Sequence, residues 1–443
     1  MQLDRRTAFG LGTAAVAILA IAAWPAYVTR DAGAARASAL PTSAPVVADY
    51  RLRDRLVTFW ERAVAENHRG DMLSPRQLGD QYLQRYRERG DIDDVLRAEA
   101  AAKKSLAAEP VGNIGGELEL ASVYLTLHRF HDALAVTREV ESWDAGDDSI
   151  LSREASLDME IGAYARARER LEAVKGRNRD DSWRVIESRY LELTGRLAEA
   201  RPLLQTAAAY VNANFDAPAQ QRAWYYFREG EMAFEAGDNA AALDDERQAI
   251  AVFPHYADAL RVLARVECAL KQWTGCLADA TASANVVPYP ETLGYEADAQ
   301  RALGDSAAAA QTDGLIRTVE RIGNAQHISD RLLAIYYSEH GLYPNDAYAI
   351  ARRELAVRDD LFTEDTLAWA AAAAGHWDVA RNAIRKATRF DTENSLLQFH
   401  AGMIALHYGD KAEAKRRLER ALALNSQFHQ VYADEARATL AKL

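Results

Sequence analysis

The feature that most constrains this chain is a small residue that returns about every 34 positions. Ala133, Ala167, Ala200, Ala242, Cys276, Ala309, Ala347, Ala380 and Ala414 follow one another at spacings of 34, 33, 42, 34, 33, 38, 33 and 34. Turn glycines precede them: Gly162, Gly195, Gly237, Gly304, Gly375 and Gly409 by five residues, and Gly341 by six. A period of this length holds one helix–turn–helix. Its small residue lets two antiparallel helices approach closely, while large residues such as Tyr124, Phe130, Tyr164, Trp273 and Trp377 fill the space between neighbouring units. One helix pair cannot bury its apolar face alone, so the units must stack into a continuous core. A chain of 443 residues would otherwise divide into domains of about 100–200 residues.

The best single unit is Ala223–Pro254, with Gly230 at the small position of its first helix, Gly237-Asp238 at the turn, and Ala242 and Ala249 on its second helix. Ala257–Pro288 keeps the register through Leu263, Ala264 and Cys276, and Ser395–Ser426 through Gly402, Gly409-Asp410, Ala414, Ala421 and Leu422. This pattern resembles the tetratricopeptide repeat family, from about residue 76 to the end. The resemblance implies an all-α, right-handed superhelical solenoid of about ten helix pairs. A leading helix (49–75) would precede the array (76–426), and a polar capping helix (427–443) would follow it. The 42-residue spacing inserts Tyr210–Gln221 as a longer loop or helix extension, and the 38-residue spacing places its extra residues in Ile316–His327.

The amino terminus reads as a targeting segment. Arg5 and Arg6 precede 23 uncharged residues, Thr7 to Thr29. As a helix they would span a hydrocarbon core of roughly 30 Å, with the basic end kept cytoplasmic and the array across the membrane. Two readings stay open. The segment is either a retained anchor, with Trp24 and Tyr27 at the outer interface, or a signal cut at a small-residue site such as Ala35-Arg36-Ala37 or Ala37-Ser38-Ala39. Residues 31–48 read as a flexible linker.

Composition narrows the function. A net charge of −12 and a pI near 5.4 leave no basic footprint for nucleic acid. Two cysteines exclude a disulfide scaffold and any four-cysteine metal site. Cys268 and Cys276 fall on the two helices of one unit. Because Cys276 takes a packing position, two buried free thiols are expected, although an oxidising compartment would bond them if their Cα atoms came within about 7 Å. No phosphate loop, nucleophile elbow or zinc helix is present. His128 and His131 should be surface residues at a turn, and His400 and His407 lie two turns apart on one helix. Asp147-Asp148, Asp244-Asp245 and Asp359-Asp360 read as caps or solvated charges. No catalytic residue, cofactor or metal is expected.

The resemblance implies that the first helix of each unit lines a concave face that binds peptides or partner helices. The inward positions of the middle units carry Arg189, Arg261, Arg265 and Arg331, interrupted by Glu231, Glu235 and Asp298. The last units present Phe362, Trp369, Leu396, Phe399 and Met403, which either pack on one another or form an apolar groove. The family's carboxylate clamp would need Lys and Asn where this chain has Phe227 and Glu231, Arg261 and Arg265, then Gly294 and Asp298. The expected function is a non-catalytic scaffold of the bacterial cell envelope, binding a protein or peptide partner and touching the membrane through its first segment. The alternatives are a component of an envelope assembly or export machine, and a small-ligand binder or enzyme.

Overall fold

The computed structural model describes residues 50–66, 68–175, 182–214, 216–325 and 331–443. The targeting segment and its linker lie outside the described residues. Among the described residues every regular element is a helix. A leading helix, α1 (Tyr50–Glu66), is followed by pairs: α2 (Leu73–Arg89) with α3 (Ile92–Ala108), α4 (Ile114–Thr126) with α5 (Phe130–Trp143), α6 (Asp148–Glu160) with α7 (Tyr164–Lys175), and α8 (Ser182–Leu193) with α9 (Leu197–Ala213). Next come α10 (Ala219–Glu235) with α11 (Asn239–Val252), α12 (Ala257–Ala269) with α13 (Trp273–Ala284), and α14 (Pro290–Ala302) with α15 (Ser306–Ala325). The last pairs are α16 (Arg331–Glu339) with α17 (Pro344–Val357), α18 (Leu361–Ala373) with α19 (Trp377–Ala387), and α20 (Ser395–His407) with α21 (Lys411–Leu424), before a terminal α22 (Tyr432–Leu440). The residues inserted at the two long spacings fall largely in helix: α9 and α10 reach 17 residues each, and α15 reaches 20.

One turn chemistry makes nine of the ten pairs, all but α2–α3. The residue closing the first helix adopts a left-handed φ, and the next N–H donates back five residues, as in Ala163 N to Asp158 O, Asp238 N to Ala233 O and Asp410 N to Ala405 O. Where the turn reads Gly-Asp, the aspartate then caps the second helix: Asp238 accepts from Ala241 N, and Asp410 from Glu413 N. His128 and Lys271 hold the same left-handed position without being glycine. The nine recurring small residues are each at most 2% exposed, which places them at the crossing of the two helices. Asp147 and Asp360 do cap helices, α6 and α18, through their carboxylates.

Beyond nearest neighbours, the array coils until units roughly 190–200 residues apart touch. Leu361 N donates to Tyr164 Oη, separated by 197 residues, and Thr392 Oγ1 donates to Leu193 O across 199. Leu197 N donates to Glu393 across 196 residues, and Asn425 Nδ2 to Phe234 O across 191. Along this seam the turns of the first coil meet backbone of the second. A methyl on Gly195 would stand 2.9 Å from Asp391 O, and one on Gly162 or Gly237 would overlap the carbonyl of Asp359 or Leu424.

Candidate functional site

The inner helices carry the charged residues that the sequence places on the concave face, and the structure pairs them. Arg228 bridges Glu192 at 2.7 Å and also pairs with Glu231 on its own helix, while Arg189 meets Glu192 at 2.8 Å. Arg265 reaches Glu235 at 3.0 Å, and Arg261 reaches Glu291 at 2.8 Å. Burial pushes the Glu192 carboxyl up, but Arg189 and Arg228 outweigh it and hold it below the usual carboxylate range. The same contest holds Glu291 low through Arg261 and Arg265. At Glu235 burial wins over Arg265, and the carboxyl is raised. The arginine stretch is therefore a ladder of matched pairs between consecutive inner helices, in which Glu231 and Glu235 are partners, whereas Asp298 pairs outside it with Arg301 and His340. Glu192, Arg228 and Glu291 belong to it too. Their signal in the sequence is spacing: an inward acid stands 30 or 36 residues from an inward arginine, about one unit away.

Arg331 is the exception among the four arginines. Burial lowers its guanidinium, with Asp360 opposing and Arg358 reinforcing the fall. Arg358 pairs with Glu160 and, at 2.7 Å, with Asp360. Burial would raise the Asp360 carboxyl, but Arg358 and Arg331 bring it down to about 2. His128 faces this group and is not the surface residue expected at its turn. Burial, then Arg358 and Arg331, drive its imidazole down to about 3. The left-handed turn swings its ring inward, 5.4 Å from that of Phe130.

The apolar stretch divides between burial and partial exposure. Phe399 is fully buried between Tyr432, at 4.5 Å, and Phe428, at 5.9 Å, so it offers nothing to a partner. Trp369 stacks on His400 at 4.3 Å and donates its indole N–H to Tyr432 Oη at 3.3 Å. Leu396 and Met403 are half-buried against the same cluster. These residues seat α22, and the final helix covers what would otherwise be a groove. Phe362 is half-buried too, its ring 5.5 Å from the Arg189 guanidinium, so one member of each stretch meets across the seam.

His400 accepts or donates at Nδ1 with Asp365 at 3.0 Å, and His407 stacks on Trp377 at 3.4 Å. Among the described residues no group of three or more His, Cys, Asp or Glu is placed to hold a metal ion. The expectation of two free thiols fails: Cys268 and Cys276 are bonded, with Cα atoms 5.2 Å apart and both side chains buried. The close crossing of α12 and α13 that demands a small residue is what brings the sulfurs within reach. A small open cleft lies where the end of α2 faces α12, lined by Tyr86, Arg89, Gln220, Tyr256, Asp258 and Tyr289. Burial pushes the Asp258 carboxyl up to about 6 against the pull of Arg261.

A helix pair of about 34 residues, closed by one recurrent left-handed turn and stacked through small residues, settles the architecture. The fold is that of tetratricopeptide repeats. No family model matches the chain, and no curated protein matches it. Among solved structures, the human IFIT1 dimer with PPP-AAAA is 12% identical and covers 84% of this chain and 87% of that one, at a TM-score of 0.45. The APC/C hetero-tetramer Cut9-Hcn1 is 11% identical, covering 88% and 93% at 0.34, and yeast Tom70 is 12% identical, covering 84% and 96% at 0.30. Among the described residues no helix is long and apolar enough to cross a membrane.

Proposed function

We propose that this chain is a non-catalytic scaffold of the bacterial cell envelope that recognises a protein partner through its charged inner face, including Arg189, Arg261, Arg265 and Arg331. The observation that carries this reading is the arginine–carboxylate ladder. Part of it is accessible, with side-chain exposures of 16% for Arg189, 21% for Arg265 and 20% for Glu291, while Arg228 and Arg261 are buried beneath. A partner bearing its own charges can exchange into such pairs without leaving a buried ion alone, which a purely apolar surface would require. The buried Cys268–Cys276 bond supports a location outside the cytoplasm, because structural disulfides persist in oxidising compartments. The uncharged stretch Thr7–Thr29 behind Arg5-Arg6 supports retention at the membrane.

Photo-crosslinkers placed at Glu231 and Glu235, and separately at the outward Arg416 and Arg385, test this in intact cells. Crosslinks to one protein from the inner positions alone, in the membrane fraction, are the expected result. Crosslinks from the outer positions alone would sink it.

A further inference from the structure

Every pair of helices turns at one edge of the array and is linked to the next pair at the opposite edge. The two coils meet through unlike edges: turns of the first sit on linking segments of the second. A methyl on Gly90 would overlap the Val287 side chain, Leu361 N meets Tyr164 Oη, and Asn425 Nδ2 donates to Asn239 Oδ1. Along this seam Tyr164, Val287 and Leu361 are buried. Two edges are left over, the turn edge of the second coil and the linking edge of the first. Among the described residues nothing lies within 4 Å of a Cβ at Gly304, Gly341, Gly375 or Gly409 on that turn edge. Both free edges carry large apolar side chains. Leu303, Tyr343 and Tyr408, beside the turns of the second coil, are 38% to 49% exposed. Val111 in a linking segment of the first coil, and Trp143 and Tyr210 in helical turns that lead into two others, are 40% to 76% exposed. Arg317 lies over one face of the Tyr343 ring and Arg381 over one face of the Tyr408 ring, and both rings stay partly exposed.

We propose that the turn edge of one copy's second coil docks on the linking edge of another copy's first coil, so that chains join head to tail and the superhelix runs on through the joint. A second copy is the occupant because this chain already contains both halves of the contact. In the seam a left-handed glycine leaves room for a carbonyl of the linking segment, as Gly162 does for Asp359 O and Gly237 for Leu424 O. The free glycines of the second coil offer the same bare space, and the joint repeats the fit one coil further on. The end of a solenoid that stays single carries a polar outer face. Here both free edges carry apolar side chains instead, and their removal from water drives the contact. The two edges are different surfaces, so the contact is heterologous, and a screw operation that carries one coil onto the next never returns to its start. The product is an open filament, not a closed dimer.

Light scattering from the full chain in detergent micelles tests the joint, with Val111→Glu to block the linking edge and Leu303→Glu to block the turn edge. Both positions are exposed, so neither substitution should move the melting temperature. For the parent chain the apparent mass should climb with concentration past two copies. Each variant alone should stay a single copy, because every joint needs one edge of each kind. An equimolar mixture of the two should reach two copies and stop, since the intact turn edge of the Val111→Glu chain fits the intact linking edge of the Leu303→Glu chain. A parent chain that stays single at every concentration would overturn the proposal. So would growth that halts at two copies, which is a closed dimer. Variants that keep the parent's mass would overturn it too, because they place the contact elsewhere, the stretch Thr7–Thr29 included.

Discussion

The two coils of the array use one turn design under opposite circumstances. In the first coil, the glycines at 162, 195 and 237 are roofed by backbone of the second, and a side chain there has no space. In the second coil, the glycines at 304, 341, 375 and 409 have nothing within 4 Å of a Cβ. The φ values match closely, +78° at Gly237 and +77° at Gly409, so the local requirement is the same and only the packing differs. Among the described residues no third coil packs on the second. It ends instead on an aromatic cluster that α22 closes, with Lys271 of the first coil paired to Asp434 at 2.5 Å. Repeats alike in sequence are therefore unlike in energy, because the coil and not the unit decides which turns are buried.

The largest expected effect tests the closing cluster. Phe399→Ala should cost about 3–5 kcal/mol by the cavity it leaves, and a melting temperature within a degree of the parent would mean that α22 does not seat there. The direct contrast is Gly237→Ala against Gly409→Ala. Both meet the left-handed penalty of about 1–2 kcal/mol, but the first must also displace the Leu424 carbonyl and should lose clearly more in chemical denaturation. Equal losses would mean that the coils do not touch in solution. Asn425→Ala removes the donor to Phe234 O and should cost about 1–3 kcal/mol, the expense of a buried group left unpaired.

The smallest effect follows pH, and one raised carboxyl from each coil illustrates it. Burial, then Asp279, pushes Glu267 up to about 7 against Arg247; burial raises Glu364 to about 7 as well, with Asp359 adding and Lys386 opposing. A carboxyl raised above its unfolded value contributes stability that is complete below about pH 4 and lost as pH rises through 7. Melting should therefore be higher at pH 6.5 than at pH 8, and Glu267→Gln should narrow the difference. The window stops at 6.5 because His128, depressed to about 3, works against the fold once the unfolded imidazole begins to bind protons. A thermal scan at the two values, with and without the substitution, checks the sign.

The sequence by itself determined the helix pair, its turn and its packing register. Those depend on residues within 34 positions of each other: a left-handed residue, a capping aspartate and a small residue at the crossing leave no other local solution. The small residues it marks are all buried in the fold. It did not determine which charged residues meet, because Glu192 and Arg228 stand on different units and their approach depends on how far each pair rotates against the next. It misplaced the Cys268 and Cys276 thiols and the His128 ring, where distances of an ångström or two, set by a helix crossing and a turn, decide the chemistry. The contact of Tyr164 with Leu361 was illegible for a plainer reason. A rotation of a few degrees per unit, accumulated over nearly 200 residues, decides whether two coils touch, and no local pattern of residues records that sum.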